Sequence, residues 1–214
     1  SIEGNGQDIA PEVMEDIRAV LPVGFPVSSF DLDLETMRAS VEAIPAVAGA
    51  TLRIRAGGIL DIRVTPRIPA AVWRQSETLL LIDSTGKVMG AIASRGEHAD
   101  LPLIAGDGAQ DVIGEALALF AVAGPLSPRI RGLVRMGERR WDVVLDREQR
   151  LLLPTKNPIS ALERIVAMSQ AQDLLERDVV VVDMRNADRP TIRLGENAVA
   201  QMRRINASVS GAGN

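Results

Sequence analysis

The stretch ATLRIRAGGILDIRVT, residues 50–65, decides the fold of the first third of the chain. On both sides of Gly57-Gly58, apolar side chains alternate with charged ones. Alternation with a period of two predicts strands that bury one face, and two such strands around a glycine turn predict a β-hairpin. A hairpin of this kind needs a layer over its apolar face, so helices are expected nearby.

Two segments before the hairpin have apolar residues at helical spacing. The first runs from Ile9 to Leu21 and has Pro11 in its first turn, where the missing N–H costs nothing. The second runs from Asp33, a residue suited to an N-cap, to Ile44, and Pro45 closes it. With residues 1–5 as a truncated first strand, the order β-α-α-β-β predicts a small helix-on-sheet domain.

The segment after the hairpin holds Pro66 and Pro69, which favour a stiff, extended connection over residues 65–73. We place the domain boundary after Trp73, so the first domain covers residues 1–73.

The rest of the chain is rich in predicted strands. These are residues 79–83, 87–91, 101–104, 129–136, 140–145, 150–153, 179–184 and 191–194, with helices over 109–123 and 157–175. They predict a second domain over residues 74–195, an antiparallel sheet with packed helices, and an α+β fold overall. Residues 196–214 are predicted to be a partly disordered tail, helical as far as Met202.

Composition excludes several classes of function. The net charge of −4 argues against a nucleic-acid partner, which usually requires a basic surface. The chain has no cysteine, which excludes disulfides, thiolate catalysis and cysteine-ligated zinc. No apolar run approaches the roughly 20 residues that a membrane-spanning helix needs.

Three short motifs suggest chemistry and fail on inspection. Residues 83–87 (DSTGK) lack the first glycine and the final Ser or Thr of a phosphate loop, so a hairpin turn is predicted. Residues 106–108 (GDG) lack the third glycine of a dinucleotide-binding loop. His98 is the chain's one histidine, in a polar loop. We predict no catalytic residue, cofactor or metal; a hydrolase using scattered carboxylates would require a cleft with paired acids.

Four groups of residues follow one another in the order and spacing of a known family. They are residues 3–6 (EGNG); residues 52–64 followed by Pro69, Ala71 and Trp73; residues 81–88 (LIDSTGKV), 101–103 (LPL), 137–142 (GERRWD) and 152–154 (LLP); and residues 181–185 (VVDMR) with 188–194 (DRPTIRL). Together they resemble the FtsQ/DivIB family of bacterial cell-division proteins, in its alphaproteobacterial branch, over nearly the whole chain.

This resemblance implies that residues 1–73 form a POTRA (polypeptide-transport-associated) domain. It also implies a single-pass inner-membrane protein, anchored upstream of Ser1, whose present region is periplasmic and concentrated at the division septum. The family has no known enzymatic activity. It acts as a scaffold that links early and late division proteins and binds FtsB together with FtsL.

The last predicted strand offers a physical mechanism for such binding. A final strand followed only by a polar tail is often a sheet edge, whose free backbone groups can accept another strand. The resemblance implies that FtsB adds at this edge. The predicted partner-binding residues are Arg185, Asn186, Asp188, Thr191, Ile192, Arg193 and Leu194.

Two alternatives remain open at this point. The terminal strand could merely finish the sheet, with the tail covering its edge. A POTRA-bearing chaperone or transport module for outer-membrane clients would share the same first domain. Residues 51–55 and 59–65 are a second candidate docking edge.

Overall fold

A computed structural model of the chain describes residues 2–4, 9–21, 33–186 and 188–211. The strands are β1 (Ile2–Gly4), β2 (Val47–Arg55), β3 (Ile59–Pro66), β4 (Pro69–Gln75), β5 (Thr78–Asp83), β6 (Val88–Ile92), β7 (Leu103–Ala105), β8 (Ile130–Met136), β9 (Arg140–Leu145), β10 (Arg150–Leu152), β11 (Val179–Asp183) and β12 (Thr191–Leu194). The α-helices are α1 (Pro11–Val20), α2 (Leu34–Glu42), α3 (Ile113–Val122), α4 (Pro158–Gln172) and α5 (Glu196–Gly211).

The first unit is a three-stranded sheet in the order β1-β3-β2. The predicted hairpin is confirmed: β2 and β3 are antiparallel, with Leu52 opposite Ile62, and both side chains are buried. Helices α1 and α2 supply Ile17 and Val41 to the same core. The N-cap predicted for α2 is also confirmed, because the Asp33 carboxylate accepts hydrogen bonds from two backbone N–H groups of the first turn.

The second unit is a nine-stranded sheet in the order β12-β11-β10-β9-β8-β7-β4-β5-β6. The prediction of an antiparallel sheet is wrong, because the pairs β4–β7, β7–β8 and β10–β11 are parallel. Helices α3 and α4 lie in the connections before β8 and β11, and a connection through a helix returns the chain in the same direction. The observed fold is therefore α+β with a large mixed sheet.

The core of the second unit lies between this sheet and helices α3 and α4. Trp141 is completely buried there, and its indole Nε1 donates to the Glu115 carboxylate of α3 at 2.8 Å. The Arg135 guanidinium lies 5.1 Å from the centre of the Trp141 ring and also donates to Glu115. These contacts fix α3 to the β8–β9 hairpin.

Two local predictions differ from the structure. The extended connection predicted over residues 65–73 instead contains most of β4. Pro69 is compatible with this strand because it occupies the first position, where a missing backbone donor is tolerated. The predicted domain boundary after Trp73 stays a prediction, although β4 belongs to the larger sheet. Helix α4, Pro158–Gln172, is shorter than the helix predicted over residues 157–175, and Asn157 precedes it with a left-handed backbone and no side-chain cap hydrogen bond.

The C-terminal segment also differs, since α5 runs to Gly211, well past Met202. The last predicted tail residues, 212–214, lie outside the described part of the chain. Within that part, none of the helices combines the length and the hydropathy that crossing a membrane would take.

Candidate partner-binding edge

Strand β12 lies at one end of the nine-stranded sheet, and β6 lies at the other. It pairs with β11 on one side, and on its other side the described residues place no strand. The observed bounds, Thr191–Leu194, are those predicted from the sequence. An edge strand of this kind carries backbone N–H and C=O groups that another strand can pair with. Its role in binding stays a prediction at this point.

The register of β12 assigns its side chains to two faces. Ile192 is opposite the buried Val182, so it lies on the face that packs against the helices, yet its side chain is 47% exposed. Thr191 and Arg193 are opposite Asp183 and Val181 and lie on the other face. A strand added here would therefore cover Ile192 on one face and meet Arg193 on the other.

The Arg185 side chain is already engaged within the chain. Its Nε and Nη2 atoms donate to the two Asp183 carboxylate oxygens, at 2.9 and 2.6 Å, and its backbone N–H donates to the same carboxylate at 3.0 Å. Hydrogen bonds from the Arg185 side chain lower the pKa of Asp183, and those same bonds raise the pKa of Arg185. Arg185 thus closes the end of β11 with a half-exposed ion pair.

Asn186 and Asp188 shape the turn between the last two strands. The Asn186 side-chain oxygen accepts from the backbone N–H of Asp188 at 3.1 Å, and its carbonyl accepts from Arg189 at 3.2 Å. This is the turn that an asparagine side chain typically stabilises. An open depression of about 470 Å³ beside the turn is lined by Asp183, Arg185, Asn186, Arg189 and Thr191.

A charged cluster on the same face of the sheet was missed from the sequence. Asp142 of β9 is 3% exposed and lies across β10 from Asp183, since both are opposite Leu152. Burial raises the pKa of Asp142, against the opposing effect of Arg140, Arg150 and Arg185. The alternation Arg140-Trp141-Asp142 indicates that Arg140 and Asp142 share one face of β9. No pattern in the sequence indicates that β10 and β11 lie beside β9 and add charged residues to that face.

Helix α5 begins immediately after the edge strand and is held there by Asp178. The Asp178 carboxylate accepts from the backbone N–H of Ala198 at 2.8 Å, and its carbonyl accepts from Gly195 at 2.8 Å. A Cβ at residue 195 would lie 2.0 Å from the Asp178 carboxylate, so a larger residue there would force the Asp178 side chain to move. The edge strand and the helix that follows it are therefore fixed to the start of β11.

The described residues contain no group of three or more His, Asp or Glu side chains able to hold a metal ion. His98 lies in a short 3-10 helix, Arg95–His98, and is partly exposed. The chemistry available at the β12 edge is backbone pairing, apolar contact at Ile192 and charge contact on the other face.

The chain is similar in sequence to known cell-division proteins over most of its length. The family model for the C-terminal region of the cell division proteins FtsQ and DivIB matches residues 71–185. This range begins within β4, includes β5 to β11 and ends before β12. The chain is 51% identical over 204 residues to Cell division protein FtsQ of Cereibacter sphaeroides, covering 94% of this chain and 66% of that protein. It is 48% identical over 198 residues to that of Roseobacter litoralis, covering 92% and 66%.

The chain therefore spans 66% of the length of these two relatives. Among solved structures, the major extracytoplasmic domain of DivIB from Geobacillus stearothermophilus is similar with a TM-score of 0.34 and 18% identity. That match covers 49% of this chain and 92% of the other.

Proposed function

The chain belongs to the FtsQ/DivIB family of cell-division proteins, and from that premise we propose that it is a non-enzymatic scaffold of the bacterial division machinery. It binds FtsB, together with FtsL, by strand addition at β12 and links early and late division proteins. The observation that carries this proposal is the free edge of β12, with the exposed Ile192 on one face and Arg193 on the other.

The face beside Arg193 adds an electrostatic preference. Arg140, Arg150 and Arg185 outnumber Asp142 and Asp183 by three to two there, in a chain whose net charge is −4. A partner strand would match this edge if it placed an apolar residue beside Ile192 and acidic residues on the face that carries Arg193. Backbone hydrogen bonds supply affinity, and these side chains supply specificity.

We further propose that the region described here is periplasmic and that a single-pass inner-membrane anchor precedes it, which concentrates the protein at the septum. In this arrangement residues 1–73 form a POTRA domain. Of the two predicted docking segments, residues 51–55 lie in β2, the outer strand of the small sheet, which is a second docking edge. Residues 59–65 lie in β3, which pairs with β1 and β2, so the prediction of an edge there is wrong. Both of the relatives described above are named as cell-division proteins, which favours this role over a chaperone or transport module.

The proposal is tested by titrating the chain with a purified complex of the periplasmic regions of FtsB and FtsL, using calorimetry. The informative variant is Ile192→Asp, and its matched control is Val88→Asp at the opposite edge of the same sheet, where the side chain is 37% exposed. Covering the exposed half of Ile192 contributes roughly 1 kcal/mol. Burying a carboxylate instead costs at least as much again, so binding weakens by more than about tenfold.

The control variant should bind as tightly as the parent chain. Ile192→Pro is a second variant, since proline removes the backbone N–H donor at this position of the edge strand. If folded Ile192→Asp and Ile192→Pro both bind FtsB–FtsL with the parent's affinity, the β12 mechanism is wrong.

A further inference from the structure

A buried arginine joins the two sheets. Arg67 lies in the short connection between β3 and β4, and its side chain is 8% exposed. Its Nε donates to the carbonyl of Pro45 at 3.0 Å, and its Nη2 donates to the carbonyl of Val47 at 2.8 Å. Its Nη1 forms an ion pair with Asp83, whose side chain is 9% exposed.

The two sides of this contact belong to different units. Val47 opens β2 and is completely buried in the core of the small sheet, next to the end of α2. Asp83 ends β5 in the nine-stranded sheet. One guanidinium therefore holds two backbone carbonyls of the first unit and a carboxylate of the second.

Asp83 is itself held rigidly. One of its carboxylate oxygens accepts from the Thr85 N–H at 2.8 Å, the Thr85 hydroxyl at 2.6 Å and the Lys87 N–H at 2.9 Å. The other oxygen is left for Arg67. Since both oxygens are occupied, the carboxylate cannot turn to follow a moving guanidinium without breaking several hydrogen bonds.

The backbone around Arg67 is restrained as well. Its N–H donates to the carbonyl of Ala46 at 2.8 Å, and Pro66 precedes it while Pro69 follows two residues later. Proline fixes its own φ and restricts the residue before it, which leaves few torsions in the connection free. The remaining freedom lies mainly at Arg67, and the contacts of its side chain remove much of it.

We propose that the Arg67–Asp83 pair is a positioning contact that locks the small sheet and the nine-stranded sheet in one relative orientation. The contact makes the scaffold rigid, so a partner at β12 and a partner on the small sheet are held in a fixed mutual geometry. The lock itself is a property of the free chain and does not depend on the identity of either partner.

The test measures one distance between the units. Because the chain has no cysteine, spin labels can be attached at Ala39→Cys in α2 and Ala167→Cys in α4, both exposed. Pulsed electron paramagnetic resonance then reports the distance distribution. The parent is expected to give one narrow distribution, and Arg67→Met should at least double its width.

Two controls separate loss of orientation from loss of folding. Arg63→Met removes an arginine of the neighbouring strand whose side chain is 56% exposed, and it should leave the distribution narrow. A second label pair within the small unit, Ala39→Cys with Arg53→Cys, should stay narrow in Arg67→Met. Broadening of that pair would mean local unfolding and would overturn the proposal.

Asp83→Asn provides a second route if Arg67→Met does not fold, as judged by circular dichroism. It retains an oxygen for Thr85 and Lys87 while it removes the charge that faces Arg67. Broadening between the units is expected again. An unchanged distance distribution in the folded variants, Arg67→Met or Asp83→Asn, would show that the pair does not set the orientation.

Discussion

Replacing Gln149 by leucine should destabilise the protein through the strand that supports the β12 edge. The Gln149 side chain is buried, and its Nε2 donates to the carbonyls of Leu175 and Val179 at 3.1 and 2.8 Å. Its Oε1 accepts from Arg129 Nη2 at 2.5 Å. Since Val179 opens β11, this one amide ties the interior of the sheet to the strand that pairs with β12.

The size of the destabilisation follows from the groups that lose their hydrogen bonds to Gln149 when leucine replaces it. The Leu175 carbonyl keeps a donor in Arg129 Nη1 at 3.2 Å, whereas the Val179 carbonyl and Arg129 Nη2 each lose the contact with Gln149. A buried polar group left without a partner costs about 1–3 kcal/mol. The added apolar burial of leucine offsets roughly 1 kcal/mol of the two penalties. We expect a net loss of about 3 kcal/mol.

Urea unfolding followed by circular dichroism measures this loss as a change in the free energy of unfolding. In a domain of this size it corresponds to a fall in Tm of about 6–12 °C. The matched control is Gln170→Leu on the exposed face of α4, which should change stability by less than about 0.5 kcal/mol. If Gln149→Leu costs no more than Gln170→Leu, the amide does not support β11 as described.

Two further predictions concern the start of α5 and the response to acid. Gly195→Ala places a Cβ 2.0 Å from the Asp178 carboxylate, which must then give up its hydrogen bond from the Ala198 N–H. The loss of this bond should lower the free energy of unfolding by about 1 kcal/mol and speed hydrogen exchange at the Ala198 amide. An unchanged exchange rate at Ala198 would contradict the prediction. For Asp83, burial raises the pKa, but hydrogen bonds from Thr85 and Arg67 outweigh it and lower the pKa to about 2. The stabilisation by the Asp83 carboxylate is complete above about pH 4 and is lost as the pH falls towards 2. Between pH 5 and pH 2, the free energy of unfolding of the parent, measured by urea titration, should therefore fall by about 2 kcal/mol more than that of Asp83→Asn. Equal falls in the two proteins would refute the prediction.

The elements that the sequence predicted well are those with a strong local pattern. The hairpin over residues 50–65 alternates cleanly around two glycines, and α2 carries its own cap at Asp33. Strand β12 was predicted with its observed bounds because Pro190 and Gly195 bracket four residues of suitable strand composition. Such signals lie within a few residues of each other and need no tertiary information.

The features that were missed depend on strands distant in sequence. Strand β7 pairs in parallel with both β4 and β8. These pairings depend on the paths of the connections between the strands, and the three residues of β7 do not by themselves indicate them. The same holds for the charged cluster around Asp142, whose members come from β9, β10 and β11. Arg67 is a single charged residue between two prolines, and only the folded chain brings Asp83 to it.

The pairing of β12 with β11 has a protective consequence. Strand β11 contains four consecutive valines, Val179 to Val182, followed by Asp183. An uncovered strand rich in valine is a template for self-association, whereas β12 presents Arg193 and only four residues at the outer edge. In a chain that stopped before Thr191, the valine strand itself would become the edge. The last strand therefore covers the valine strand and leaves a short outer edge that carries Arg193.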